Sequence, residues 1–153
     1  MPNTYTQLYI QFVFAVKYRR SLIDCNWENE LYKHITGIVQ NQQSKMLSIN
    51  GMPDHVHIFI GYNPTASIPD LVKSIKLGSN EWINDNNFTK STFAWQTGYG
   101  AFSYGRSQID HVCKYVQNQK GHHQRKTFRH EYVTLLKKFD VQFDEKYLFE
   151  FFD

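Results

Sequence analysis

The sequence predicts an α+β fold in which an antiparallel sheet carries helices on one face. Segments of alternating apolar residues, typical of strands, are interleaved with segments of helical spacing. Their predicted order is strand, helix, strand, strand, helix, strand, helix. This is the split βαβ pattern of ferredoxin-like, or RRM-like, domains with an added C-terminal helix. We expect residues 1–153 to form a single domain, since a chain of this length can bury a real core.

The first half of the chain supplies three predicted strands and one helix. Residues 8–17 are apolar on both alternating faces, which is typical of a central strand. Residues 27–40 have apolar residues at helical spacing. A short strand over 46–50 and a turn over 51–54 precede a strand of clean alternation over 55–60.

The second half supplies a further strand between helices. Ser67 is the expected N-cap of a helix that ends near the asparagines at 84–87. Residues 94–104 are predicted as the fourth strand. Ser107 is the expected N-cap of a helix that Gly121 ends. Residues from Glu131 to Phe139 predict a last amphipathic helix, and the residues beyond carry no clear pattern.

Composition narrows the class of protein only modestly. A net charge of +3 is compatible with a polyanionic partner but equally with many enzymes. Cys25 and Cys113 form no CxxC pair, which argues against a cysteine zinc site and suits a reducing cytosol. We expect a cytoplasmic protein without a membrane segment, because no signal-peptide pattern is evident and the longest apolar stretch is too short to span a bilayer.

Two histidines in the third predicted strand are candidate metal ligands. Side chains alternate along a strand, so His55 and His57 share one face while Val56 and Ile58 point to the other. Neighbouring imidazoles can hold a divalent cation. The pair alone leaves open that they are surface or hydrogen-bonded histidines.

Tyr115 and Gln119 are the second candidate group. An apolar stripe from Ile109 to Val116 predicts that one side of their helix is buried, and residues four apart lie above one another on its flank. A phenol beside an amide could be a nucleophile beside a metal-orienting group. The residues alone equally allow a tyrosine at the core edge and a solvated glutamine.

Two further features are less specific. Gly98 and Gly100 would leave a flat strip on the fourth strand, open to close approach by another group or serving as a bulge. Basic residues that could contact phosphates are scattered, and each could instead be an ordinary solvated charge. The candidates for nucleic-acid contact are Lys17, Arg19, Arg20, Lys73 and Lys76.

Together, three segments resemble the single-tyrosine HUH transposases of bacterial insertion sequences, the family with hairpin-tipped element ends. The segments are His55-Val56-His57, the run from Trp95 to Ser103, and Tyr115-Val116-Gln117-Asn118-Gln119, in this order. The resemblance spans most of the chain, from the first strand to the tyrosine helix and the His122-His123 that follow it.

The resemblance implies a role for each matching residue. His55 and His57 match the metal-binding histidine pair, Tyr115 the nucleophile, and Gln119 the third metal ligand. It further implies Mg²⁺ or Mn²⁺ as cofactor, single-stranded DNA with hairpins as substrate, a 5′-phosphotyrosine intermediate, a homodimer, and association with the nucleoid. The tyrosine helix of one chain could serve the metal site of the other.

Three alternatives stay open at this point. A non-catalytic, domesticated nucleic-acid-binding protein would have the same fold, although an RNA-recognition domain would carry aromatic side chains where His55 and His57 lie. A histidine-triad phosphohydrolase would need a histidine where Phe59 stands. HUH nucleases that start replication or conjugation usually have longer chains and often a second tyrosine.

Overall fold

Strand β1 (Tyr9–Ala15) lies in the middle of the sheet because it can bury both of its faces. The protein is described by a computed structural model over residues 3–152. The sheet has four antiparallel strands in the order β2-β3-β1-β4, as a ferredoxin-like fold requires. The other strands are β2 (Lys45–Met52), β3 (His55–Gly61) and β4 (Gly100–Tyr104).

Five α-helices complete the described part of the chain. They are α1 (Glu28–Asn41), α2 (Ile68–Asp85), α3 (Ile109–Gln117), α4 (Gln119–His122) and α5 (Phe128–Lys138). Short 3-10 turns lie at Arg19–Ser21, Arg106–Gln108 and Glu145–Tyr147. The α+β class and the antiparallel sheet predicted from the sequence are confirmed.

The main core lies between the sheet and helices α1 and α2. Val56, Ile58 and Ile60 are fully buried there, as their alternation predicts. Ser67 caps α2 as expected, because its side-chain oxygen accepts a hydrogen bond from the backbone N–H of Asp70 at 3.2 Å.

The opposite face of the sheet carries His55, His57 and Phe59, and it too is covered. Val112 and Val116 of α3 pack on Phe59, so the apolar stripe of this helix is buried as predicted. Helix α5 follows over the histidines, where the Phe128 ring stacks on the His55 ring with centroids 3.8 Å apart. The sheet is therefore enclosed on both sides around its histidine pair.

The predicted fourth strand is too long. Residues 94–99 form only an isolated bridge, between Val16 and Trp95, and β4 starts at Gly100. Gly98 has a positive φ of 91°, which a strand does not allow. The flat strip expected on this strand does not exist, because Gly98 lies outside it and Tyr132 of α5 packs against Gly100.

The predicted start and end of the tyrosine helix also differ from the observed ones. Ser107 is not an N-cap, since it lies inside a 3-10 turn whose start is held by the Gln108 side chain, which accepts from the Gly105 N–H at 3.1 Å. Gly121 does not end the tyrosine helix: the helix ends at Gln117, and Gly121 lies within α4.

The β2–β3 hairpin and the last helix differ in extent as well. Strand β2 continues to Met52, which pairs with His55, so the hairpin turn is shorter than predicted. Helix α5 starts three residues before Glu131, because the Thr127 side chain accepts a hydrogen bond from the His130 N–H at 3.1 Å and caps it there.

Replacing Gly100 with alanine should destabilise the protein. A Cβ at this position would lie 2.8 Å from the Tyr132 ring, so the ring or the strand has to shift. We expect a loss of about 1–3 kcal/mol in the free energy of unfolding, typical of overpacking. Urea denaturation measures it. The matched control is Gly37→Ala in α1, where no atom lies within 4 Å; it should stabilise by about 0.5–1 kcal/mol. Equal effects at both positions would contradict the packing described here.

Candidate active site

His55 and His57 lie side by side on β3, and both are fully buried. Their ring centroids are 5.2 Å apart. The strand register places Ala15 and Val13 of β1 directly opposite them. A pair of surface histidines is therefore excluded, and each ring nitrogen needs a polar partner inside the protein.

The carboxylate of Glu131 on α5 supplies most of those partners. Its Oε1 accepts from Nε2 of His57 and from Nε2 of His123, each at 3.1 Å, and lies 3.4 Å from Nε2 of His55. Its Oε2 accepts from Nε2 of Gln119 at 3.0 Å and from the Tyr115 hydroxyl. Residues from β3, α3, α4 and α5 thus meet at one carboxylate that is only 7% exposed.

His55 is held at both ring nitrogens. Its Nδ1 donates to Oδ1 of Asp54 at 2.7 Å, and its Nε2 lies 3.2 Å from Oε1 of Gln119. Burial works against the charged ring, but the hydrogen bonds to Asp54 and Glu131 prevail and raise the pKa of His55 to about 8. The pKa of Asp54 is lowered in turn, since the partner His55 outweighs the effect of burial.

The other groups shift according to their burial and neighbours. Burial lowers the pKa of His57. For Glu131, burial alone would raise the pKa, but the surrounding histidines lower it well below its usual range. Burial and the Glu131 charge raise the pKa of Tyr115, so its phenol is held protonated on the carboxylate.

Tyr115 and Gln119 come together with the histidines, although not on one helix. The helix is interrupted at Asn118, so Tyr115 lies in the last turn of α3 and Gln119 begins α4. Gln119 is fully buried, not solvated, and the Tyr115 ring packs edge-on against His57 with centroids 5.7 Å apart. All four predicted site residues therefore share one location in a single chain.

The donor set fits a divalent cation. One nitrogen of His55, one nitrogen of His57 and one oxygen of Glu131 lie within 4.8 Å of one another, and all three residues are buried. Gln119 adds an amide oxygen to the same group. Imidazole with carboxylate and carbonyl oxygens suits Mn²⁺ well and is acceptable to Mg²⁺.

The basic candidates lie in two places. Lys17, Arg19 and Arg20 are exposed in the segment after β1. Lys73 is exposed on α2, whereas Lys76 donates to the carbonyl oxygens of Gln96 at 2.8 Å and Gly98 at 2.6 Å. Its burial lowers the pKa of Lys76 to about 8. The Lys76 ammonium thus holds the segment before β4.

Comparison with known proteins is decisive for the family. Residues 4–119 match the model of the family described as Transposase IS200 like. The chain belongs to the IS200-like transposase family. The ISDra2 transposase TnpA of Deinococcus radiodurans is 30% identical over 118 residues, which cover 74% of this chain and 84% of that protein.

Solved structures agree on the fold. A crystal structure assigned to a transposase of Deinococcus radiodurans R1 matches with a TM-score of 0.61 and 22% identity, covering 76% of this chain and 94% of that one. A REP-associated tyrosine transposase bound to a REP hairpin matches with a TM-score of 0.56 and 13% identity, covering 76% and 68%. In residues 3–152 of this transposase, no helix is long and apolar enough to cross a membrane.

Sequence reasoning missed several residues of the site. Glu131 and His123 lie beyond the segments that carry the resemblance, and Gln11 belongs to a strand that reads as core. One signal for Glu131 was present. It lies three residues after Phe128 and four before Leu135, so helical spacing puts this carboxylate on the apolar side of the predicted helix, where it needs a partner.

Lys76→Met and Lys73→Met are a matched pair of variants: the first tests whether a lysine stabilises the fold, and the second tests a lysine that is only a surface charge. Lys76→Met removes an ammonium that donates to two backbone carbonyls, so we expect a loss of about 1.5–3 kcal/mol in unfolding free energy. Lys73→Met, on the exposed side of the same helix, should change it by less than about 0.5 kcal/mol. Chemical denaturation of both variants measures the difference. A neutral Lys76→Met would refute the anchoring role.

Proposed function

We propose that this transposase cuts and rejoins single-stranded DNA through a 5′-phosphotyrosine on Tyr115, in a metal-dependent reaction. The observation that carries the proposal is the hydrogen bond from the Tyr115 hydroxyl to Glu131, the carboxylate that also contacts both histidines. A nucleophile and a metal-binding group are thereby adjacent within one chain. A hairpin at the DNA end is supported by the solved relative that is bound to one.

The metal would be held by His55, His57, Gln119 and Glu131. The resemblance implies Gln119 as third ligand, and the position of Glu131 Oε1, 3.1 Å from His57 Nε2 and 3.4 Å from His55 Nε2, favours a carboxylate as well. Two oxygen ligands make Mg²⁺ or Mn²⁺ a reasonable choice. When bound, such an ion neutralises the scissile phosphate and stabilises the leaving 3′-oxygen.

The residues of the chain supply the nucleophile and its orientation. The Tyr115 oxygen attacks phosphorus and the bond to the 3′-oxygen breaks. The phenol proton passes to Oε2 of Glu131, which accepts the Tyr115 hydrogen bond, and the leaving 3′-oxygen takes up a proton from solvent. The products are a tyrosine phosphodiester and a free 3′-hydroxyl. Attack of another 3′-hydroxyl on that phosphodiester restores the DNA backbone and frees Tyr115, so rejoining needs no ATP.

Two cavities suggest where the strand runs. One, of about 530 Å³, is lined by the cationic Arg19, Arg125 and Lys126, by Asp54, and by apolar residues that include Phe128. The other, of about 170 Å³, is bordered by Tyr115. His123 and Lys126 line both cavities, so a strand passing over them has one nucleotide in the larger cavity and its neighbour beside Tyr115. Lys17 and Arg20 line a further cavity together with Arg19 and extend the cationic surface there. Lys73, exposed on α2, is a further proposed contact.

The catalytic unit takes in the whole chain as one domain. The family match ends at residue 119, yet Glu131 and His123 lie beyond it and contact the histidines of β3. Tyr115 contacts the Glu131 of its own chain, which supports cleavage in cis. The resemblance also implies a homodimer, in which the tyrosine helix of one chain could serve the metal site of the other.

Tyr115→Phe should abolish the covalent protein–DNA product. The substrate is single-stranded DNA from the ends of the encoding element, incubated with Mn²⁺ or Mg²⁺ and separated on a denaturing gel. Loss of the hydroxyl removes the attacking atom but keeps the ring against His57. Tyr147→Phe, at a tyrosine that is 79% exposed, is the matched control and should keep full activity. If wild-type protein binds the hairpin but yields no covalent product with either metal, a binding protein of the same fold becomes the better account.

Arg19→Ala and the double variant Arg125→Ala/Lys126→Ala should weaken DNA binding and flatten its dependence on salt. Each lost phosphate contact lowers the slope of log K against log salt by about 0.7 for a single strand. Fluorescence anisotropy at several salt concentrations measures both quantities. Lys33→Ala, at a side chain of α1 that is 75% exposed, should leave the slope unchanged. Unchanged affinity and slope in the first two variants would place the strand elsewhere.

A further inference from the structure

Gln11 is a polar residue with a fully buried side chain on the central strand of the sheet. It lies on β1, is fully buried, and points to the same face as the histidines because it pairs with Phe59 on one side and Phe102 on the other. An unpaired amide there would cost a few kcal/mol, about 1–3 by mutational data, so its partners matter. The metal-binding role proposed above gives no function to this residue.

Both ends of the Gln11 amide are hydrogen-bonded. The Tyr104 hydroxyl donates to Oε1 at 2.7 Å, and Nε2 donates to Nδ1 of His57 at 2.8 Å. Because Nδ1 of His57 accepts, the proton of the neutral ring lies on Nε2, which donates to Glu131 at 3.1 Å. The chain of donors therefore runs in one direction, from Tyr104 through Gln11 and His57 to Glu131.

The donor residues fit a metal, but a proton on Nε2 of His57 does not. The Nε2 atom of His57 is the one that faces Glu131, so a metal there needs the lone pair of Nε2 and a proton on Nδ1. Turning the Gln11 amide over presents Oε1 to the Nδ1–H and Nε2 to the Tyr104 oxygen. The Tyr104 oxygen can accept that hydrogen bond through a lone pair, because a hydroxyl both donates and accepts. No group has to move from its place.

We propose that Gln11 is a positioning residue for the metal, whose amide turns over when the metal binds and so moves the His57 proton from Nε2 to Nδ1. The inference rests on the proposed metal site. Among side chains of this size, an amide alone can serve both states, since a carboxylate only accepts and an aliphatic chain does neither. Groups that hydrogen-bond the second nitrogen of a ligating histidine typically change metal affinity by about 10–100-fold.

The tautomer of His57 is the first readout. In ¹⁵N NMR spectra of the imidazole nitrogens, metal-free wild-type protein should carry the His57 proton on Nε2. Protein saturated with Zn²⁺, a diamagnetic probe, should carry it on Nδ1. A proton on Nδ1 in both states, or no change on saturation, would overturn the proposal.

Metal affinity is the second readout, with Mn²⁺ binding followed by electron paramagnetic resonance of the free ion. Gln11→Leu should bind Mn²⁺ about 10–100-fold more weakly than wild type. Gln11→Glu, which accepts from Nδ1–H in the loaded state, should bind at least as tightly as wild type. Gln11→Met keeps the length of the side chain and replaces Gln11→Leu if that variant does not fold.

A purely structural role predicts another pattern. It would lower metal affinity and thermal stability together, in Gln11→Glu as much as in Gln11→Leu. Ser79→Ala is the matched control, because Ser79 is equally buried and accepts a hydrogen bond from Trp95 at 2.8 Å on α2, away from the histidines. It should lower stability without changing Mn²⁺ affinity. Equal Mn²⁺ affinity in wild type and Gln11→Leu would refute the proposal.

Failure of this inference and of the proposed function have different signatures. If the tautomer moves and Gln11→Leu loses Mn²⁺ while wild type forms no covalent DNA product, the positioning role stands and the cleavage reaction falls. If wild type forms the covalent product and Gln11→Leu binds Mn²⁺ as tightly as wild type, the cleavage reaction stands and the positioning role of Gln11 falls.

Discussion

The rest of the site depends on the hydrogen bonds that the buried carboxylate of Glu131 accepts. A buried carboxylate is costly unless it is hydrogen-bonded, and this one accepts from side chains of three separate elements. Each donor gains a fixed orientation in return. The histidine pair on β3, the tyrosine in the last turn of α3 and the glutamine that begins α4 thereby meet at one carboxylate, although α5 is the last α-helix of the described chain.

The position of α5 explains why the second face of the sheet is closed. Phe128 stacks on His55, and Tyr132 fills the space left by Gly100. Behind them, the Phe149 ring packs on Tyr132, with centroids 4.9 Å apart. A sheet of this kind usually offers one free face to a ligand, but here both faces are covered. The two cavities that His123 and Lys126 line are therefore the proposed place of entry for DNA. Rigid surroundings suit a reaction that requires a nucleophile held in place.

Each of the two buried histidines has a hydrogen-bond partner at its Nδ1 atom. His55 is fixed through Asp54, whose carboxylate accepts from Nδ1 and leaves Nε2 directed at the site. The Nδ1 atom of His57 is bonded by the amide of Gln11 and not by a carboxylate. The two histidines of one strand are thus supported by different chemistry, and the amide is the one of the two that can reverse its polarity.

The sequence by itself determined the α+β fold, the order of the strands and the family, because alternation of apolar residues and the segments around His57 and Tyr115 are local properties. It also predicted that the histidines share one face, which follows from the geometry of a strand alone. Only the tertiary structure decided that Glu131 joins them, since that contact spans 74 residues and arises from how α5 packs. The same holds for Gln11, which in the sequence is one polar residue in an apolar strand. Local pattern reports which way a side chain points, whereas its partner depends on the packing of elements that are distant in the chain.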